Sequence, residues 1–170
     1  MATPEFILRL REKIGHDPLW LIGITAYVEN DEGKILLGQR ADTGEWALVY
    51  GINEPGEEPA VTVIREVSEE TGVDVVPTDL VRVRAQRELT IYANGDQTQY
   101  LDLMFACRLA EGGCSEPYVA DDESLAVGWF SSDDLPVPLS ASTRERFATL
   151  AAWRAAGANR TLFSLGELGE

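Results

Sequence analysis

Residues 51–73 read GINEPGEEPAVTVIREVSEETGV. The stretch sets Glu57, Glu58, Arg65, Glu66, Glu69 and Glu70 in a loop followed by a short amphipathic segment. From Pro59 onward the spacing predicts a helix, with Ala60, Ile64, Val67 and Thr71 recurring at i, i+4, i+7 and i+11. At about 100° of turn per residue these four share one face, and Glu66, Glu69 and Glu70 fall together on roughly the opposite one. Like charges at i, i+3 and i, i+4 destabilise a helix by about 0.2–0.5 kcal/mol per pair, so stability alone does not account for three stacked carboxylates. Two readings are open. One is a solvated acidic face, common in acidic proteins. The other is a set of oxygen ligands for Mg²⁺ or Mn²⁺, which removes the repulsion.

The rest of the segment has local work to do. Glu54-Pro55-Gly56 reads as a turn, with proline fixing φ and glycine tolerating positive φ. Glu57 and Glu58 then stand near the positive end of the helix dipole. Pro59 suits the first helical turn and Gly72 a C-terminal cap. Arg65 precedes Glu69 by four residues, the spacing of a pair that orients the carboxylate or simply decorates the surface.

Gly51, Glu57, Arg65, Glu66, Val67, Glu69, Glu70, Gly72 and Val73 together form a longer pattern. It runs Gly, five residues, Glu, seven residues, then Arg-Glu-apolar-any-Glu-Glu-any-Gly-apolar. This resembles, position by position, the signature box of the Nudix hydrolases. The resemblance implies an α+β fold, an α/β/α sandwich with a mixed β-sheet between helices. It implies hydrolysis of a pyrophosphate bond in a nucleoside diphosphate linked to another moiety, by water attack on phosphorus with Mg²⁺ or Mn²⁺. Glu66, Glu69 and Glu70 would be the metal set, with Glu66 a ligand or the general base. Glu57 would be an outer or additional ligand, and Arg65 would orient the carboxylates. Some relatives take the proton on a carboxylate from a downstream loop; here that loop is residues 119–124, VADDES, and Glu123 is the candidate, against a solvated acidic loop. Many relatives carry Pro-Gly-Gly where this chain has Val49-Tyr50-Gly51. A backbone carbonyl near that point often joins the metal, so the carbonyl of Tyr50 is expected to serve, although tyrosine reaches glycine's φ/ψ space only at a cost.

Composition bounds the alternatives. A chain of 170 residues fits one domain, with an N-terminal helix over about 3–14, a core over about 19–136 and a C-terminal helix over about 142–156. A formal net charge of −15 argues against long nucleic acid and anionic membrane, though not against a nucleotide whose charge is carried by metal. No apolar run is long enough to span a bilayer. The start, MATPEFILRLREKIG, reads as a helix with Thr3 at the N-cap and Pro4 at its first position, not as a secretory signal, so a cytoplasmic protein is expected. His16 is the only histidine, which removes histidine triads and multi-histidine metal sites. Cys107 and Cys114 have no metal or redox spacing and read as reduced and structural.

The pattern predicts strands at 19–28, 34–40, 73–76, 80–92, 98–109 and 125–130, a stretch over 46–50 that leads into the glutamate segment, a hairpin turn at Asn94-Gly95-Asp96 and a short helix from Ser131 to Leu135. Trp46, Tyr50, Tyr92 and Tyr100 are candidates to stack a base or sugar, and Arg40 and Arg87 to meet a distal phosphate; core packing is the competing role for each aromatic. Phe147, Leu150 and Trp153 give the C-terminal helix an apolar face for the sheet or for a second subunit, which leaves a homodimer open. The leading expectation is an enzyme acting on a small nucleotide-like diphosphate. A nucleotide-sensing module that binds without turnover is the alternative, and the intact carboxylate set weighs against it. Isopentenyl-diphosphate isomerisation on the same scaffold needs a cysteine early in the fold, whereas both cysteines follow the glutamate helix.

Overall fold

The computed structural model describes residues 3–165. Among them are three helices and one eight-stranded sheet. Its long central strands are β1 (Leu19–Glu29) and β7 (Gln97–Leu109), which run parallel over their whole length. Every other pairing is antiparallel: β2 (Ile35–Arg40) and β4 (Val49–Ile52) with β1, β3 (Trp46–Ala47) and β8 (Ser124–Phe130) with β2, β5 (Val75–Ala85) and β6 (Thr90–Ile91) with β7. The sheet is therefore mixed.

Strand alternation splits the core into two layers. Ile24, Ala26 and Val28 of β1 face Val63 and Val67 of helix α2 (Pro59–Thr71). Tyr27 faces the other way, with Leu37, Leu48, Val81 and Met104, toward Leu150 and Trp153 of helix α3 (Ala141–Ala155). The result is the expected α/β/α sandwich. Phe147 meets Tyr27 edge-on at 6.3 Å, so the apolar face of α3 packs on the sheet, not on a second subunit.

Helix α1 (Glu5–Ile14) lies at the end of the sheet, where Arg11 donates to the Gln97 carbonyl at 2.8 Å. It begins one turn position later than the sequence suggests: Pro4, not Thr3, stands at the N-cap, and its carbonyl accepts from Ile7 and Leu8. The two strands expected over 73–76 and 80–92 are instead one strand, β5, followed by short β6. The ladder shifts register at Pro77/Asp79 and again at Leu80/Arg82, which lets the strand carry a proline that cannot donate to its neighbour. Ser131–Leu135 is a turn, not a helix; Ser131 Oγ accepts from the Asp133 amide, and Pro136 disfavours helical backbone at Leu135. Helix α3 starts one residue early because Ser140 caps it, accepting from the Thr143 amide at 3.2 Å. No helix is long and apolar enough to cross a membrane among the described residues.

Candidate active site

Helix α2 is rotated relative to the expected face. Ala60 and Ile64 are exposed, while Thr62, Val63, Glu66, Val67, Glu70 and Thr71 are buried. The carboxylates therefore do not stand opposite the core. Glu66 (1% exposed) and Glu70 (9%) lie within the buried stripe, and Glu69 points outward. The small apolar and threonine positions between them make room for this placement, and a hydropathy pattern does not reveal it because glutamate scores as a surface residue.

Gly51 explains how Glu66 fits. A Cβ on Gly51 would stand 2.1 Å from the Glu66 carboxyl carbon, so only glycine lets strand β4 approach the helix there. At the other end, Gly72 caps α2 with φ of 69° and its amide bonds the Ser68 carbonyl. A side chain at Gly72 would collide with the Tyr118 ring, because the segment after Gly113 folds back over the helix end. The Tyr118 amide donates to the Thr71 backbone carbonyl and the Ala120 amide to that of Glu70, which brings Asp121, Asp122 and Glu123 beside the helix. A cleft of about 770 Å³ results, lined by Glu66, Glu69, Glu70, Asp121, Asp122 and Glu123, with Arg65 at its edge.

Arg65 is the hub. It forks onto both oxygens of Glu57 at 2.9 and 3.0 Å, and also donates to Glu66 Oε1 at 3.0 Å and Glu69 Oε2 at 3.1 Å. These bonds, with Thr62 Oγ1 donating to Glu57 as well, hold the Glu57 carboxyl down at about 2. Glu57 thus turns to Arg65 and does not line the cleft. Glu66 behaves oppositely. Burial pushes it up to about 7, although the Arg65 charge and hydrogen bond pull it down. Burial, then the charges of Glu66 and Asp121, pushes Glu70 up to about 8.

A second cavity, of about 740 Å³, opens on the α3 face of the sheet. Neighbouring residues of β4 point to opposite sides: Gly51 meets the carboxylate helix, and Tyr50 lines this cavity. Glu123 lines both spaces, so they meet beside it. Tyr50 has ordinary backbone geometry, since Ala158 is the only non-glycine residue with positive φ among those described. Its substitution for glycine therefore strains nothing. Tyr92, Tyr100 and Arg40 also line the cavity, as the sequence suggests. Trp46 packs against Phe130 at 4.8 Å instead, and Arg87 is not part of the lining. Thr98, Asp102 and Arg146 were not legible as site residues: they stand far apart in sequence, within a strand and a helix, and no motif marks them. Cys107 is a buried free thiol pushed up to about 12 by burial, and Cys114 is free and exposed.

The donor set can be weighed for a divalent ion. Glu66, Glu69, Glu70, Asp121, Asp122 and Glu123 are all hard oxygen ligands. Among the described residues no three such groups yet converge on one point, and Arg65 holds an oxygen each of Glu66 and Glu69. Glu69, with its side chain 59% exposed, is able to rotate inward. The Glu70 carboxylate accepts no hydrogen bond from the described residues, and a buried carboxylate in that state is costly unless protonated or met by a cation. The residues fit Mg²⁺ or Mn²⁺.

The comparisons with known proteins bear on family and fold. The profile of the NUDIX domain matches residues 20–151, so the chain belongs to the Nudix family of hydrolases. It is 33% identical over 118 residues to a MutT-like protein of Streptomyces ambofaciens, covering 69% of this chain and 68% of that one. It is 30% identical to the 8-oxo-dGDP phosphatase NUDT18 of Mus musculus, matching 82% of this chain but spanning 39% of the mouse protein. Among solved structures, a MutT NUDIX hydrolase from Burkholderia pseudomallei superposes with a TM-score of 0.61 at 29% identity, covering 78% of this chain and 98% of that one.

Proposed function

We propose that the chain hydrolyses the pyrophosphate bond of a small nucleoside-diphosphate derivative, using Mg²⁺ or Mn²⁺ held by Glu66, Glu69 and Glu70. The observation that carries the reading is the pair of buried carboxylates on one helix, Glu66 and Glu70, in a cleft with five further acidic side chains and, among the described residues, only Arg65 as a basic one. A bound divalent ion would neutralise phosphate oxygens and lower the pKa of a water. The chain's own groups do the rest. Arg65 orients Glu66 and Glu69 through its hydrogen bonds, and Glu57 orients Arg65. The Tyr50 carbonyl, on the strand pressed against Glu66, is a further oxygen donor. Glu123, which lines both cleft and cavity, would take the proton as a water oxygen bonds to phosphorus and the bridging oxygen leaves with the other phosphate.

The relatives support a nucleotide-like substrate: one is named an 8-oxo-dGDP phosphatase, and another, 30% identical and from Salmonella agona, a nucleoside triphosphatase. The two free cysteines suit a reducing cytoplasm. The test is phosphate release, with coupled phosphatase, across ADP-ribose, nucleotide sugars, dinucleoside polyphosphates, and ordinary and oxidised nucleoside di- and triphosphates. Turnover of one class with Mg²⁺ or Mn²⁺, absent in Glu70→Gln, is expected. Equal turnover in excess chelator would overturn the metal assignment.

A further inference from the structure

The cavity on the α3 face differs from the cleft in its charge balance. Each guanidinium that lines it is already matched. Arg11 lies 3.3 Å from Asp96, Arg40 forks onto both oxygens of Asp42 at 2.8 Å, and Arg146 donates to Asp102 at 3.0 Å. A further phosphate there would find no cation to spare. The walls are flat and π-rich instead. The Arg40 guanidinium lies over the Tyr50 ring, 4.9 Å from its centre, and its fork onto Asp42 fixes the plane of that stack. Tyr92 and Tyr100, joined through their hydroxyls at 2.6 Å, form a second aromatic wall, and Tyr100 lies against Gly23, where a side chain would crowd its ring. The hydrogen-bonding capacity of the lining is incompletely used. The Arg146 Nε, on a side chain that lines the cavity, is buried and unpartnered. Such a group is costly unless something completes it.

We propose that Tyr50 is a specificity-determining residue, forming with Arg40 the platform on which an uncharged planar ring, a nucleobase, stacks inside the cavity, with Arg146 Nε reading its edge. The inference rests on the proposed hydrolysis of a nucleotide-like substrate and assigns which end of that substrate lies where. The nucleoside enters the tyrosine-lined cavity, the diphosphate crosses the edge of β4 beside Glu123, and the group beyond it lies outside. Base–aromatic stacking contributes about 1–3 kcal/mol, and polar edge groups add discrimination between bases.

The test is calorimetric binding of adenosine, guanosine, cytidine and uridine to the full chain in excess chelator, with ribose 5-phosphate as the charged control. No metal or turnover is needed, so its failure is distinct from failure of the hydrolysis reading. At least one nucleoside is expected to bind and ribose 5-phosphate is not. Tyr50→Leu should weaken that nucleoside about tenfold or more, and Tyr50→Phe should retain it within about threefold, since the ring rather than the hydroxyl does the stacking. With a turned-over nucleotide, Tyr50→Leu should raise KM by the same factor and change kcat by less than KM, the mark of binding lost in the ground state as well as the transition state. Tyr92→Leu, at an exposed hairpin position, gives a second reading if Tyr50→Leu folds poorly, with a loss of about threefold or more expected. Binding of no nucleoside by a chain that hydrolyses nucleotides would overturn the assignment. So would equal binding in both leucine variants, or binding of ribose 5-phosphate in place of nucleosides.

Discussion

The two cavities beside β4 are separated by one strand and built on opposite electrostatic plans. On the α2 face, carboxylates outnumber cations, and two of them, Glu66 and Glu70, are buried and held above the ordinary carboxylate range. On the α3 face, each arginine of the lining has a carboxylate partner and the walls are tyrosine. An imbalanced pocket calls for a cation; a balanced one admits an uncharged group. Because consecutive residues of a strand point to opposite sides, Tyr50 and Gly51 serve the two plans at once. The difference teaches that net charge, −15 for the chain, says little about a local surface, since the excess negative charge gathers on only one of these faces.

The sharpest way to break the contrast is to remove a cleft carboxylate. Glu70→Gln and Glu69→Gln should each lower kcat by about 10²–10⁴-fold while the protein stays folded, measured by phosphate release alongside thermal unfolding. Without metal, Glu70→Gln should be at least as stable as the wild type, because it removes a buried charge. Gly51→Ala comes next. Its methyl would overlap the Glu66 carboxylate, so stability should fall by about 1–3 kcal/mol and activity with it, whereas an alanine at exposed Gly33 should leave activity unchanged. Arg65→Gln should follow, with a loss of about 10–100-fold in activity or metal affinity, because Glu66 and Glu69 lose their orientation.

The smallest effect is a pH dependence, and its sign differs within the same segment. Glu66 and Glu70 have folded pKa values of about 7 and about 8, above the ordinary 4.5. The folded state binds more protons than the unfolded state in that window, so this contribution is present below about 4.5 and lost as pH rises to 8. Glu57, held at about 2, contributes the other way: its stabilisation is present above about 4.5 and lost only as pH falls toward 2. Thermal unfolding in chelator at pH 5 and pH 8 should therefore give a lower Tm at pH 8. The drop should shrink in Glu70→Gln and shrink again when Mg²⁺ is added to the wild type.

Much of this was legible from residues 51–73. The helix from Pro59, its cap at Gly72 and the Arg65–Glu69 pair all follow from local spacing, and all are present. The hairpin at Asn94-Gly95-Asp96 and the strand carrying Cys107 follow from turn chemistry and alternation. What local pattern does not carry is orientation. Ala60 and Ile64 suggest a buried face, yet the helix buries Glu66 and Glu70, because Gly51 on another strand leaves space for a carboxylate there. The same limit applies to the α3-face cavity. Thr98 and Arg146 come to line one cavity only through the parallel pairing of β1 with β7 and the docking of α3. Glu123 was found through an acidic loop, but what places it is the pair of amides, Tyr118 and Ala120, bonded to the end of α2.

The central claim is that the carboxylate cleft is built for a divalent cation. Its most direct test is calorimetric titration of Mn²⁺ into the metal-free chain at pH 8, compared with Glu70→Gln. The account predicts saturable binding to the wild type, with an affinity at least about tenfold weaker in the variant. Equal affinity in the two proteins, or no saturable binding to the wild type, would contradict it.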